Sequence, residues 1–278
     1  SEFGLFIGSR GFFNVYLLML FVSGVILDKT GVRFAGMLSC VLMLVGTAID
    51  YYAIAIASPV PATEVTFPTL GLDHTMVKDQ VLMSAFGFAV FGIGYELCGI
   101  TVSKVIVKWF SGKEMALAMG IQVALARFGT ALALLGGPFL AKYYQLSTPI
   151  LVGLFSVGLA VVIYLIYCAM DRKLDKASDA DNNEEKKAEK FSFKGLLTTL
   201  RSPGFWLITL LCMLYYSALY PFLDFATKLM ISKYGVSPEW AGGISSILPF
   251  TSIILTPLFG GVYDRVGKGA SIMILGTA

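Results

Sequence analysis

The chain is poor in charge. Of its 278 residues only 14% are Asp, Glu, Lys or Arg, while 56% are hydrophobic. A soluble domain devotes about a quarter of its residues to charge, so most of this surface is not made for water. The net charge of +3 is small and forms no basic stripe, which excludes nucleic acid as a partner. There is one histidine, His74, which reads as a surface residue of a loop. The four cysteines (Cys40, Cys98, Cys168, Cys212) lie in apolar stretches without a CxxC pair, which excludes a zinc site or disulfide framework. No cofactor is implied, and no nucleophile–base pair stands at one depth, so the chain does not read as an enzyme. A secretory signal is lacking as well. Residues 1–11 read as a polar connection, and 269–278 as the beginning of a further span, so the chain is expected to be an interior piece of a longer protein.

What is present is long apolar runs. A bilayer core takes about 20 residues of helix, and backbone polar groups in lipid must be satisfied within the helix. Spans are expected at 12–28, 34–56, 81–109, 115–141, 148–170, 204–230 and 238–262. Two connections are longer, Ser58 to Gln80 and Asp171 to Pro203. The second mixes both signs of charge, cannot bury apolar area and reads as a mobile linker. Its end, Phe191 to Leu200, has the apolar spacing of a short helix lying on the membrane.

One pattern occurs twice. Gly24, Asp28, Lys29, Gly31 and Arg33 close one span; Gly260, Asp264, Arg265 and Gly267 close another, with the same Gly-to-Asp and Asp-to-Gly spacing. Two copies at matching helix ends indicate a duplicated membrane unit, an architecture of secondary transporters. The acid can accept from a helix N-terminus or pair with a base on a neighbouring span. The first glycine permits close helix contact and the second a tight turn. Such a set serves as a gate. Lys29, Arg33, Lys108, Lys113, Arg172, Arg265 and Lys268 fall in one set of connections, against Arg10, Lys78, Lys142, Lys228 and Lys233 in the other. The excess of base puts the repeated motif on the cytoplasmic side.

Two opposite charges lie inside adjacent spans. Glu96 is about 14 residues before the turn at Ser111 and Gly112, and Arg127 about 14 after it, so both sit roughly 20 Å from that turn, near the midplane. Charge at that depth is costly unless it faces a cavity or a partner. One reading is a structural salt bridge; the other is a site for a zwitterion, Arg127 taking a carboxylate and Glu96 an ammonium group. Tyr215, Tyr216 and Tyr220 stand at helical spacing on a later span, where packing and cavity lining are both open. Asp50, Asp224 and Lys228 fall near outer span ends, where interfacial solvation accounts for them.

The segment Gly24 to Arg33 resembles the loop signature of the major facilitator superfamily between spans two and three, and Gly260 to Gly267 resembles its counterpart between spans eight and nine. Gly94-Tyr95-Glu96, Trp109 to Glu114, Gly120-Ile121-Gln122 and Ala126 to Gly129 resemble the lysosomal dipeptide transporter branch, as do Tyr215-Tyr216, Pro221-Phe222 and Lys233-Tyr234-Gly235. The resemblance implies an all-α polytopic membrane protein of the major facilitator fold, covering about spans two to nine of twelve. It divides as an N-terminal bundle at 1–170, a charged linker at 171–203 and a partial C-terminal bundle at 204–278. It further implies alternating access, with the acid and the arginine on a peptide's termini. The partners expected are a small-molecule substrate and membrane lipid; an accessory subunit leaves no mark in the residues. Rival readings are a proton-coupled organic-anion carrier and a non-transporting receptor of the same fold.

Overall fold

A computed structural model of the chain describes residues 2–16, 18–55, 62–67, 72–110, 115–181, 201–267 and 271–272. Its helices are α1 (Glu2–Tyr16), α2 (Met19–Ala55), α3 (Asp79–Trp109), α4 (Met115–Tyr143), α5 (Thr148–Asp181), α6 (Pro203–Tyr234) and α7 (Pro238–Val266). Strands β1 (Ala62–Phe67) and β2 (Leu72–Lys78) lie between α2 and α3. Six helical stretches are long and apolar enough to cross a membrane. The described chain is all-helical but for the one hairpin.

Four sequence expectations change. Residues 2–11 are not a polar connection but part of α1, because Phe6 of this segment stacks on Phe88 of α3 at 4.7 Å and gives the helix a tertiary partner. The span expected at 12–28 is divided between α1 and α2 beside Leu18 (φ 48°), while the break expected between it and 34–56 is present as a kink within α2 at Gly31 (φ 79°, ψ 169°), a backbone shape open to glycine. The connection before α3 holds an antiparallel hairpin, with Ala62 opposite Lys78 and Val65 opposite Thr75. Its β-branched Thr63, Val65, Thr66, Thr75 and Val77 suit strands. Finally, α5 runs on through Asp171 to Asp181, residues expected to belong to a mobile linker. The surface helix expected at 191–200 lies outside the described residues.

The chain forms two compact units, residues 1–102 with 147–202, and residues 103–146 with 203–278. In unit one, Leu27 and Ala35 of α2 bury against Leu97 of α3. Glycines let these helices touch: a side chain at Gly46 would strike the Gly87 carbonyl, and one at Gly94 the Ser39 carbonyl. α5 joins through Tyr164, whose hydroxyl donates to the Val32 carbonyl at 2.7 Å across the space left by Gly36. In unit two, α4 and α7 pack antiparallel over their whole length. Gly260 meets the Ala116 carbonyl, Gly120 meets Pro257, and Gly242 meets the Leu134 carbonyl. The far end is tied by an ion pair, Lys142 Nζ to Glu239 Oε1 at 2.7 Å. α6 joins α7 through a hydrogen bond from Thr227 to the Ser245 hydroxyl at 3.2 Å. Apolar side chains on α5 and α6, such as Phe155 and Leu207, remain exposed, as suits contact with lipid rather than water.

Candidate functional site

The second motif copy is built around the start of α4. Asp264, exposed near the end of α7, accepts a hydrogen bond from the Leu117 backbone N–H at 2.9 Å. That N–H belongs to the first turn of α4, where donors lack intrahelical partners and the helix dipole favours a negative charge. Gly260, one turn before the acid, removes the side chain that would otherwise hold Ala116 away. Gly267 (φ 67°) ends α7 and donates to the Tyr263 carbonyl. Arg265 is exposed.

The first copy is built differently. Gly31 occupies the place of Gly267 and has the same left-handed φ. Its base, Arg33, pairs through Nε with Asp171 Oδ2 at 3.4 Å. Asp171 is fully buried and also accepts from the Tyr167 hydroxyl at 3.2 Å. Sequence reasoning missed Asp171 as a partner; the signal was Tyr164, Tyr167 and Asp171 at helical spacing past the expected end of the span. Asp28 and Lys29 are exposed. Among the described residues nothing comes within 4 Å of where a Cβ on Gly24 would stand, so the close helix contact expected there is found only at Gly260.

Of the embedded charges, Glu96 lies in unit one and Arg127 in unit two with the three tyrosines. Glu96 is half-buried. The sequence had put Arg10 in a connecting loop; it stands in α1, with its carbonyl against Gly92 and its guanidinium 5.9 Å from the centre of the Phe88 ring. In unit two, Tyr216 feels burial, its neighbour Tyr220 and the charge of Arg127. Tyr216 stacks on Tyr220 at 5.3 Å and meets Tyr215 edge-on at 5.4 Å. Arg127 and the tyrosines belong to the same unit. Asp50 is not solvated at an interface but buried, accepting from the Ser84 hydroxyl at 2.9 Å. A cavity of about 430 Å³ between α6 and α7, lined by Phe222, Met230, Ile244 and Thr251, holds none of these residues. Among the described residues no group of His, Cys, Asp and Glu could hold a metal ion.

Comparison with known proteins matches residues 1–278 to the family model described as Major Facilitator Superfamily. The chain belongs to the major facilitator superfamily. It is therefore an integral, multi-pass membrane protein of a family of carriers rather than enzymes. Among curated proteins it is similar to the lysosomal dipeptide transporter MFSD1 of Homo sapiens, 28% identical over 198 residues, 66% of this chain and 41% of that one. The protein of the same name from Danio rerio is 26% identical over 268 residues, 93% of this chain and 53% of the relative. That from Gallus gallus is 27% identical over 194 residues, 66% and 42% of the two chains. The chain spans about half the length, or less, of these relatives. No solved structure matches it.

Proposed function

We infer that this major facilitator chain serves to move a small zwitterion, a dipeptide, across a membrane by alternating access. What supports this reading is the sequence spacing of Glu96 and Arg127, each about 14 residues from Ser111 and Gly112, which is expected to set an acid and an arginine near the midplane. Glu96 takes the ammonium end of the substrate and Arg127 its carboxylate. Tyr215, Tyr216 and Tyr220 present rings and hydroxyls beside Arg127. The relatives' name, dipeptide transporter, supports the cargo. Asp264 on the N-terminus of α4, with Gly260, Arg265 and Gly267, acts as one cytoplasmic latch. Gly24, Asp28, Lys29, Gly31 and Arg33 belong to its counterpart in the N-terminal bundle, 1–170, which the linker 171–203 joins to the C-terminal one, 204–278.

The test is a thermal-shift screen of the full-length protein with dipeptides, single amino acids and dicarboxylates. Dipeptides should stabilise it, and Glu96→Gln and Arg127→Lys should each abolish the effect. A second reading is an organic-anion carrier in which Arg127 selects the anion and Glu96 carries a coupling proton. Stabilisation by dicarboxylates alone, with loss of the response to a pH gradient in Glu96→Gln, would replace the first reading by this one.

A further inference from the structure

The antiparallel seam of α4 and α7 carries a charged contact at each end. At one end Asp264 of α7 accepts from the Leu117 N–H of α4 at 2.9 Å. At the other, Lys142 in the last turn of α4 meets Glu239 in the first turn of α7 at 2.7 Å. Between these ends the contacts are of small residues with backbone, Gly120 on Pro257 and Gly242 on the Leu134 carbonyl. The buried residues of α4, Gly120, Ala124 and Ala131, are all small. Small residues bring two backbones close without the interlocking of large side chains.

We propose that Lys142 and Glu239 form the outer gate of the carrier, the counterpart across the membrane of the Asp264 contact. The proposal rests on the alternating-access reading above, in which α4 belongs to the bundle 1–170 and α7 to 204–278, so that their seam lies where the two halves meet. Lys142 and Lys233 fall in the connections with the smaller share of base, which sets this end away from the cytoplasm. A gate must hold and also let go. Both side chains reach water, with 56% and 27% of their surface exposed, so water takes over each charge when the pair parts. Each charge also suits its own helix, a base at a C-terminus and an acid at an N-terminus, and keeps that interaction after parting. Such a pair biases the balance between closed and open by a small factor and traps neither state. The helices are stiff rods in close contact at small residues, so parting them at one end draws them together at the other.

The experiment measures backbone amide hydrogen exchange in the full-length protein, as wild type, Lys142→Gln, Glu239→Gln, the exchanged pair Lys142→Glu with Glu239→Lys, and Asp264→Ala. Lys142→Gln and Glu239→Gln should each raise exchange at 138–143 and 238–242 about threefold, the scale of an exposed ion pair. Each should also lower exchange at the opposite ends, 115–120 and 260–266. The exchanged pair should restore part of the wild-type pattern, and only part, because each charge then opposes its own helix dipole. A merely structural pair would loosen the outer ends and leave the cytoplasmic ends unchanged, and that outcome overturns the gate. Asp264→Ala should give the reverse pattern. If Asp264→Ala changes the two ends in opposite directions and the Lys142 and Glu239 variants do not, the gate falls and alternating access stands. If no variant does so, alternating access at this seam falls and the gate falls with it.

Discussion

The two copies of the repeated motif share a spacing, and a contact of the acid stands out in one and a contact of the base in the other. In the second copy the acid is at work: Asp264 caps the start of α4, and Gly260 brings α7 close enough for it to reach. In the first copy the base is at work: Arg33 reaches a carboxylate, Asp171, that α5 has carried out of solvent. What the copies hold in common is the glycine three residues after the acid, Gly31 and Gly267, each at positive φ. Their ψ angles differ, 169° at Gly31 and 4° at Gly267, so the copies share the conformational freedom of glycine at that place rather than one turn. That freedom is a local demand, whereas partners depend on which neighbouring helix ends nearby.

Substitutions can break this contrast at different points. The largest effect is expected at Arg33. Arg33→Gln takes a cationic partner from fully buried Asp171, and with Arg33 itself 40% exposed the loss should cost about 2 to 3 kcal/mol; thermal unfolding in detergent should show a clear fall, partly restored by Asp171→Asn in the same chain. Next is Gly260. Gly260→Leu drives a branched side chain into the α4 backbone and should cost about 2 kcal/mol, whereas Gly24→Ala, in open space within a helix, should gain up to about 1 kcal/mol. Equal losses at both glycines would erase the distinction between the copies.

The acid of the second copy comes third. Asp264→Ala removes a helix-capping acceptor and should lower stability by about 1 kcal/mol. In flux assays it should also shift the carrier toward opening at its cytoplasmic side, read as increased cysteine labelling at that end. The smallest effects are expected at exposed Lys29 and Arg265, where alanine should change stability by no more than about 0.5 kcal/mol. A loss at Lys29 as large as that at Arg33 would show that the first copy is held by its whole basic cluster rather than by a single pair.

Much of this was legible in the residues. Apolar runs too long for a soluble core announced the spans, and the repeated Gly–Asp–Gly spacing announced both motif ends. Asp264 as a helix-terminus acceptor was one of two uses foreseen for such an acid. What stayed hidden has a common cause. Arg10, Asp171 and Asp50 were read by their distance from expected span ends, as if a charge near an end must be solvated. α1 instead begins at Glu2 and α5 continues to Asp181, so Arg10 and Asp171 stand within helices, while Asp50, in α2, is buried against Ser84 of α3. The hairpin before α3 was missed because its alternation is short and follows a proline-rich stretch.

By itself, then, the sequence determined that this protein lives in a membrane, that its spans are helical, and where its repeated turns fall. Hydrophobic length, backbone hydrogen bonding without water, and the freedom of glycine are properties of a segment alone, and need no knowledge of its neighbours. Only the tertiary structure decided which charge meets which partner: Arg33 with Asp171, and Asp264 with α4. Electrostatic pairing falls off over a few ångströms and depends on burial. It therefore depends on helix register and crossing, which arise only when separate segments pack.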